Sequence, residues 1–248
     1  MHITPFRMKV ILTGATGFVG SHVLHTLLAD PTITTVFALT RAPLSASSYL
    51  TPAHLSSPKL VEIAHDDFLS YPPALLDRLR GASACLWCIG GRHTQHSRWA
   101  TDEEYVRVSV AFTTKAAEAF RTALAAEQTF RFVFCSGHAT ELDESRSLWV
   151  MGRTRKVKGI AEKALFELAR GHAADPPFKA YAVRPCGIYQ KDPSLKDRLM
   201  TAVVLPSCRV EELAAVMVEV AKVGSQEQIV VHERIRAWGG ELIKKAEK

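Results

Sequence analysis

The chain lacks any apolar run of about eighteen residues, so no membrane-spanning helix is expected. Its first ten residues, MHITPFRMKV, lack the basic region, long apolar stretch and small-residue cleavage site of a secretory leader. Residues 1–7 read as a frayed lead-in to a first strand. Cysteine is scarce: there are five, an odd number, mostly inside apolar runs. That excludes a disulfide framework and fits a reducing compartment, so a cytoplasmic location is expected. Internal repeats and low-complexity tails are absent. No linker-like shift in composition divides the 248 residues, and a single domain over 1–248 is expected.

Acidic residues are outnumbered, leaving a formal charge of +6. A basic chain raises the question of a nucleic-acid partner. The sharpest basic cluster is Arg153, Arg155, Lys156 and Lys158. It lies in a helical pattern without interleaved aromatics, and reads as a solvated helix face beside an anionic cofactor. No nucleic-acid or membrane partner is expected. Cys85 and Cys88 spell C-x-x-C, but within ACLWCIG, a buried strand pattern. Residues three apart on a strand point to opposite faces, which argues against a shared metal or a redox pair. His93 and His96 form H-x-x-H without a third ligand in view, so no metal is expected. With Trp99 they read instead as part of a substrate rim.

Several segments are present. Short β-branched or apolar runs predict strands over 9–13, 32–40, 60–64, 84–89, 130–135, 180–184 and 228–231. Helical spacing predicts helices over 18–29, 75–80, 103–126, 153–170 and 210–223, and a helical tail. The Ser- and Pro-rich stretch between the second and third strands reads as a surface loop with at most a short helix. Alternating strands and helices predict an α/β, doubly wound parallel sheet with right-handed crossovers. Residues 189–248 are expected to contribute a small C-terminal, substrate-side region. The stretch before 210 is long enough for a lid.

The most informative stretch is VILTGATGFVGSHVL, with Gly14, Gly17 and Gly20 between a strand and a helix. That context marks a dinucleotide loop. One glycine allows the tight turn, a second lets the backbone approach a pyrophosphate, and a third allows close packing of helix on strand. The helix N-terminus then presents free N–H groups to the phosphates. Thr16, Phe18 and Val19 complete the loop.

The G-x-x-G-x-x-G spacing resembles that of the short-chain dehydrogenase/reductase superfamily, in its extended and atypical branches. Asp67-Phe68 after the third strand and Gly90-Gly91 after the fourth resemble segments bordering the adenosine in that family. Ser136 after the fifth strand, Lys158-Gly159 with Glu162, and Arg184-Pro185-Cys186-Gly187-Ile188 after the sixth also match. Compact atypical members, near the NmrA-like and HIV-Tat-interacting-protein-like groups, are the most similar. The resemblance implies a Rossmann fold, a nicotinamide cofactor and a small-molecule substrate. Pro185 and Ile188 are implied on the cofactor side. The helices over 103–126 and 153–170 are implied to offer a homodimer interface.

An NAD site usually carries an acid after the second strand. Here Thr40-Arg41 stands in that place. Arg41 can pair with a 2′-phosphate that an acid would repel, with Ser45, Ser47 or Ser48 as added donors. NADP(H) is therefore expected over NAD(H).

Family reductases pair a Y-x-x-x-K helix with a Ser or Thr after the fifth strand. The lysine holds the nicotinamide ribose and lowers the tyrosine pKa, and the serine positions the substrate carbonyl. This chain keeps Ser136 and Lys158, but Thr154 stands where the tyrosine belongs. A phenol can be tuned into useful range, whereas an aliphatic hydroxyl is a far weaker acid. His138, two residues after Ser136, is a second candidate proton donor. Tyr189 reads as structural, and Arg153 as a solvated helix cation rather than a partner of the cofactor phosphates or a substrate anion. CSGHA around Ser136 is not a G-x-S-x-G elbow, which argues against a hydrolase. The expectation is an NADP(H)-dependent oxidoreductase acting on a small or medium carbonyl, enone or imine. The alternatives are a non-redox isomerase, cyclase or dehydratase on the same scaffold, and an NADP(H)-sensing binding protein.

Overall fold

The structure is a computed structural model that describes residues 7–91, 95, 99–125, 128–171, 177–190 and 206–247. His93, His96 and residues 191–205, the heart of the expected lid, lie outside the described residues.

The main sheet contains β1 (Met8–Thr13), β2 (Ile33–Thr40), β3 (Leu60–Ala64), β4 (Ala82–Trp87), β5 (Phe130–Cys135), β6 (Phe178–Val183) and β9 (Ile229–Val230). They are ordered β3-β2-β1-β4-β5-β6-β9, and every pairing is parallel. The order reverses between β1 and β4, the switch point where doubly wound sheets bind ligands. All seven expected strands are therefore present, with ends shifted by a few residues. A separate two-stranded parallel sheet, β7 (Gly187–Tyr189) with β8 (Ser207–Arg209), was not expected from the sequence. Its strands are too short to show a period.

Side-chain alternation divides the core into two layers. Val10 and Leu12 face one layer and Ile11 the other. The first layer is covered by α1 (Phe18–Ala29), α7 (Val210–Val223) and α8 (His232–Ala246). The second is aromatic: Trp87, Phe120, Phe130, Phe132, Phe134 and Phe178 meet beneath α5 (Phe112–Leu124) and α6 (Gly152–Arg170). Burying each such ring contributes on the order of 1.5–3 kcal/mol. Cys85 and Cys88 fall in opposite layers, as strand alternation requires. No cluster of metal-ligating side chains is found among the described residues. No described helix is long and apolar enough to cross a membrane.

Short helices α2 (Pro52–Leu55) and α3 (Pro73–Arg78) lie on the periphery. The long helix expected over 103–126 is not continuous. It begins as α4 (Asp102–Val106), widens into a π turn over Arg107–Ala111 and resumes as α5. Thr101 caps α4, its Oγ1 accepting from Glu104 N–H at 3.1 Å, and Asp102, Glu103 and Glu104 occupy its first turn. That combination suits a helix start. Within 189–248, β9 joins the main sheet and α7 packs on α1. Both elements therefore belong to the main α/β body of the fold.

Candidate active site

The loop between β1 and α1 fits a dinucleotide phosphate. Gly14 has φ +73°, and a Cβ there would lie 2.7 Å from the Cys88 carbonyl oxygen. A Cβ on Gly20 would lie 2.0 Å from the Gly14 carbonyl oxygen. Both positions thus require glycine, the first for its conformation and the close pass of β4, the second for helix-on-loop packing. Gly17 caps α1 without a side-chain hydrogen bond, and no acid lies in the first turn. The first N–H groups of α1 are left for an anion.

The rim of this loop is fixed by neighbours. Ser47 donates to the Thr16 carbonyl at 3.0 Å, so that serine braces the glycine loop. Phe18 touches His22 and Tyr49, at 5.3 and 5.8 Å between ring centres, and Val19 is half-buried against the first core layer. Arg41 is exposed just beyond β2. Asp67 is exposed and accepts from Leu69 N–H at 3.0 Å. The Phe68 ring is committed to the core, edge-on to Trp87 at 5.8 Å, which leaves only its backbone to face a ligand. Gly90 has φ +134° with open space around it. Pro185 accepts from His138 N–H at 2.7 Å, and Ile188 pairs with Cys208 across β7 and β8.

Lys158, from α6, and Ser136 both stand at the carboxyl end of β5. Lys158 Nζ donates to the Cys135 carbonyl at 3.3 Å and lies 5.4 Å from the centre of the Phe134 ring. Burial pulls its pKa down, and Cys135, Glu162 and Cys88 push it back up. Lys158 is therefore not part of a solvated basic face. Its charge is held at the Cys135 carbonyl, at the end of β5. The Ser136 hydroxyl is buried 3.2 Å from that of Thr140, which donates to the Gly137 carbonyl at 2.6 Å. Thr140 was not singled out from the sequence. The small-polar run SGHAT holds the only hint of it.

The remaining candidates separate. Thr154 is 5% exposed, in the first turn of α6. Arg153 forks onto Asp102, with Nε donating to Oδ1 at 2.9 Å, which ties it to α4 rather than to a cofactor phosphate. His138 is exposed, its ring edge-on to His232 at 6.2 Å. His232 accepts from Cys186 N–H through Nδ1 at 3.1 Å. Behind the site, Glu162 is fully buried and receives Arg184 Nε at 3.0 Å. This pair joins α6 to the end of β6, so Lys158 and Pro185 are held on one frame.

Known proteins agree with this architecture. A curated relative, leucinostatins biosynthesis cluster protein T of Purpureocillium lilacinum, is 29% identical over 161 residues, 65% of this chain and 52% of that protein. The chain thus spans about half the length of that relative. Yeast methylglyoxal/isovaleraldehyde reductase Gre2, solved with NADPH, shares the fold with a TM-score of 0.69 at 16% identity, over 91% of this chain and 78% of that one. MoeE5, solved with UDP-glucose and NAD, does so with a TM-score of 0.63 at 23% identity, over 95% and 82%. Residues 10–221 match a family through the glycine loop, Ser136, Lys158 and α7 alike. The chain belongs to the NAD dependent epimerase/dehydratase family.

Proposed function

We propose that the chain is an NADP(H)-dependent oxidoreductase of the atypical short-chain type, acting on a small or medium carbonyl, enone or imine. The observation that carries this reading is the Lys158 ammonium bonded to the Cys135 carbonyl at the carboxyl end of β5, next in the chain to the buried Ser136. When bound, the reduced nicotinamide supplies the hydride.

Each residue then has a task. Gly14, Thr16, Gly17, Phe18, Val19 and Gly20 hold the pyrophosphate at the start of α1. Arg41, in the place after β2 where an NAD site usually carries an acid, faces the 2′-phosphate. The backbone at Asp67, Phe68 and Gly90 borders the adenosine, and Pro185 and Ile188 border the nicotinamide. One Lys158 N–H is engaged by the Cys135 carbonyl, which leaves the others for ribose hydroxyls. Thr140 orients Ser136, whose hydroxyl positions the substrate oxygen. Thr154, buried, or His138, exposed, assists them. The name of the leucinostatins-cluster relative supports a small or medium biosynthetic substrate.

Consumption of NADPH with members of a panel of aldehydes, ketones, enones and imines tests the reading. Lys158→Ala should lower that turnover by at least about 100-fold, within the range for an acid–base group. An unchanged rate would remove Lys158 from the site. Thr154 in the tyrosine's place favours a second reading, non-redox acid–base chemistry. Product formed without a change in nicotinamide absorbance would select it.

A further inference from the structure

The stretch 41–55 that follows β2 is fastened to the body of the protein at several points. Leu44 is fully buried in the first core layer, and its N–H donates to Glu62 Oε1 at 3.1 Å. Ser47 commits its hydroxyl proton to the Thr16 carbonyl, and Tyr49 packs on Phe18. The stretch is thus an arm that starts at Arg41 and lies against the glycine loop. Its far end, α2, is joined to α1 by two imidazoles. His54 Nε2 and His25 Nδ1 are 2.9 Å apart, with the rings edge-on.

Thr51 fixes the proton positions of this contact. Its backbone N–H points at His54 Nδ1 at 3.1 Å. A backbone N–H can only donate, so His54 Nδ1 carries a lone pair and the ring proton sits on Nε2. That N–H donates to His25 Nδ1, which must carry a lone pair as well. Both rings are therefore neutral. A second proton on His54 would face the Thr51 N–H, and a second proton on His25 would face His54 Nε2–H. A metal ion shared by the two rings is disfavoured on the same ground. Coordination through His54 Nε2 would move the ring proton to Nδ1, against the Thr51 N–H.

The surrounding charged groups have partners of their own. On α1, His22 Nδ1 donates to the Phe18 carbonyl at 2.8 Å, a bond that protonation leaves intact. Lys59, ahead of β3, donates to the Leu28 and Asp30 carbonyls, and Asp30 pairs with Lys222. Glu62 on β3 holds Leu44 N–H, and Arg41 is exposed at the start of the arm.

We propose that His25 and His54 form a proton-sensitive clasp that positions the Arg41 arm against the glycine loop, so that NADPH binds more tightly when both imidazoles are neutral. The clasp deepens the NADP(H) reading above and rests on it. Both histidines act through the arm and are positioning residues. Burial first, and then the neighbouring His25, hold the His54 pKa below its ordinary value. The clasp is therefore complete above the ordinary imidazole range, near 6.5, and is lost as pH falls through the lowered value.

The test is a fluorescence titration with NADPH and NADH at pH 8 and pH 5.5, on wild type, His25→Leu, His54→Leu and the conservative His25→Asn. At pH 8 each leucine variant should bind NADPH about 5-fold more weakly than wild type, the worth of one neutral hydrogen bond. NADH, which has no 2′-phosphate, should bind all four proteins alike. His25→Asn places an amide oxygen where Nδ1 accepts, and should keep the wild-type affinity at pH 8. At pH 5.5 wild type should fall to the level of the leucine variants. A phosphate itself titrates near roughly pH 6, equally for every protein, so comparing proteins at one pH cancels that effect. In cofactor-free protein at pH 8, imidazole 15N spectra should show His54 unprotonated at Nδ1. Equal NADPH affinity of wild type and His25→Leu at pH 8, a gap that persists at pH 5.5, or a proton on His54 Nδ1 at pH 8 would overturn the clasp alone. Wild type that binds neither nucleotide, or NADPH no better than NADH, would contradict the NADP(H) reading and overturn the clasp with it.

Discussion

Arg184 and Glu162 face each other across the boundary between β6 and α6, with Nε donating to Oε1 at 3.0 Å and Glu162 fully buried. Two charged side chains 22 residues apart thus join the end of β6 to the Lys158 helix. Removing one partner leaves a buried charge without compensation. Glu162→Gln should cost roughly 3–5 kcal/mol of unfolding free energy. Urea denaturation of the two proteins measures this. A loss below about 1 kcal/mol, the level of an exposed pair, would show that the pair is not structural.

Gly20→Ala should abolish nucleotide binding before it abolishes folding. The added methyl would meet the Gly14 carbonyl at 2.0 Å, so α1 must move away from the loop. Circular dichroism would report a folded sheet, and NADPH fluorescence would report no binding. Retained wild-type affinity would mean that the loop does not carry the phosphates.

Acid should destabilise the protein through His232. Its pKa is lowered by burial first; Glu233 and Glu212 oppose the shift, and His138 and Arg236 add to it. The unfolded chain then binds a proton more readily than the native one, so stability rises with pH across this window. The contribution is present above the ordinary imidazole range, near 6.5, and is lost as pH falls through the lowered native value. Protonation also removes the Nδ1 acceptor for Cys186 N–H. Urea midpoints at pH 8 and pH 5.5 should fall further apart in wild type than in His232→Gln. Parallel losses would place the acid sensitivity elsewhere.

Ser136 and Thr140 share one buried hydroxyl contact at 3.2 Å. Thr140→Val should therefore raise KM for the carbonyl substrate, or lower kcat, by about 5- to 10-fold, the worth of one neutral hydrogen bond of about 1 kcal/mol. NADPH affinity should not change. Steady-state kinetics on the variant decide this, and identical constants would detach Thr140 from the site.

The glycine loop and the strand segments were legible in the sequence because both are local. Gly14, Gly17 and Gly20 sit within one turn between a strand and a helix, and β-branched runs mark each strand. Lys158 was legible through its spacing, but its setting was not: the basic cluster read as solvated, and burial was decided by packing on β5. Long-range pairs were out of reach. Nothing near Cys186 in the chain announces His232, and nothing near Arg153 announces Asp102. The π turn in α4–α5 and the short strands β7 and β8 carry no period long enough to see.

The most direct test of the account is a titration of the purified chain with NADPH and NADH, followed by nicotinamide fluorescence, with Arg41→Asp beside wild type. NADPH should bind more tightly than NADH, and the substitution should weaken NADPH by about 10- to 100-fold, as expected when a charge-assisted contact of roughly 1.5–3 kcal/mol is lost. NADH binding should be spared. Failure of both nucleotides to bind would contradict the account at its centre.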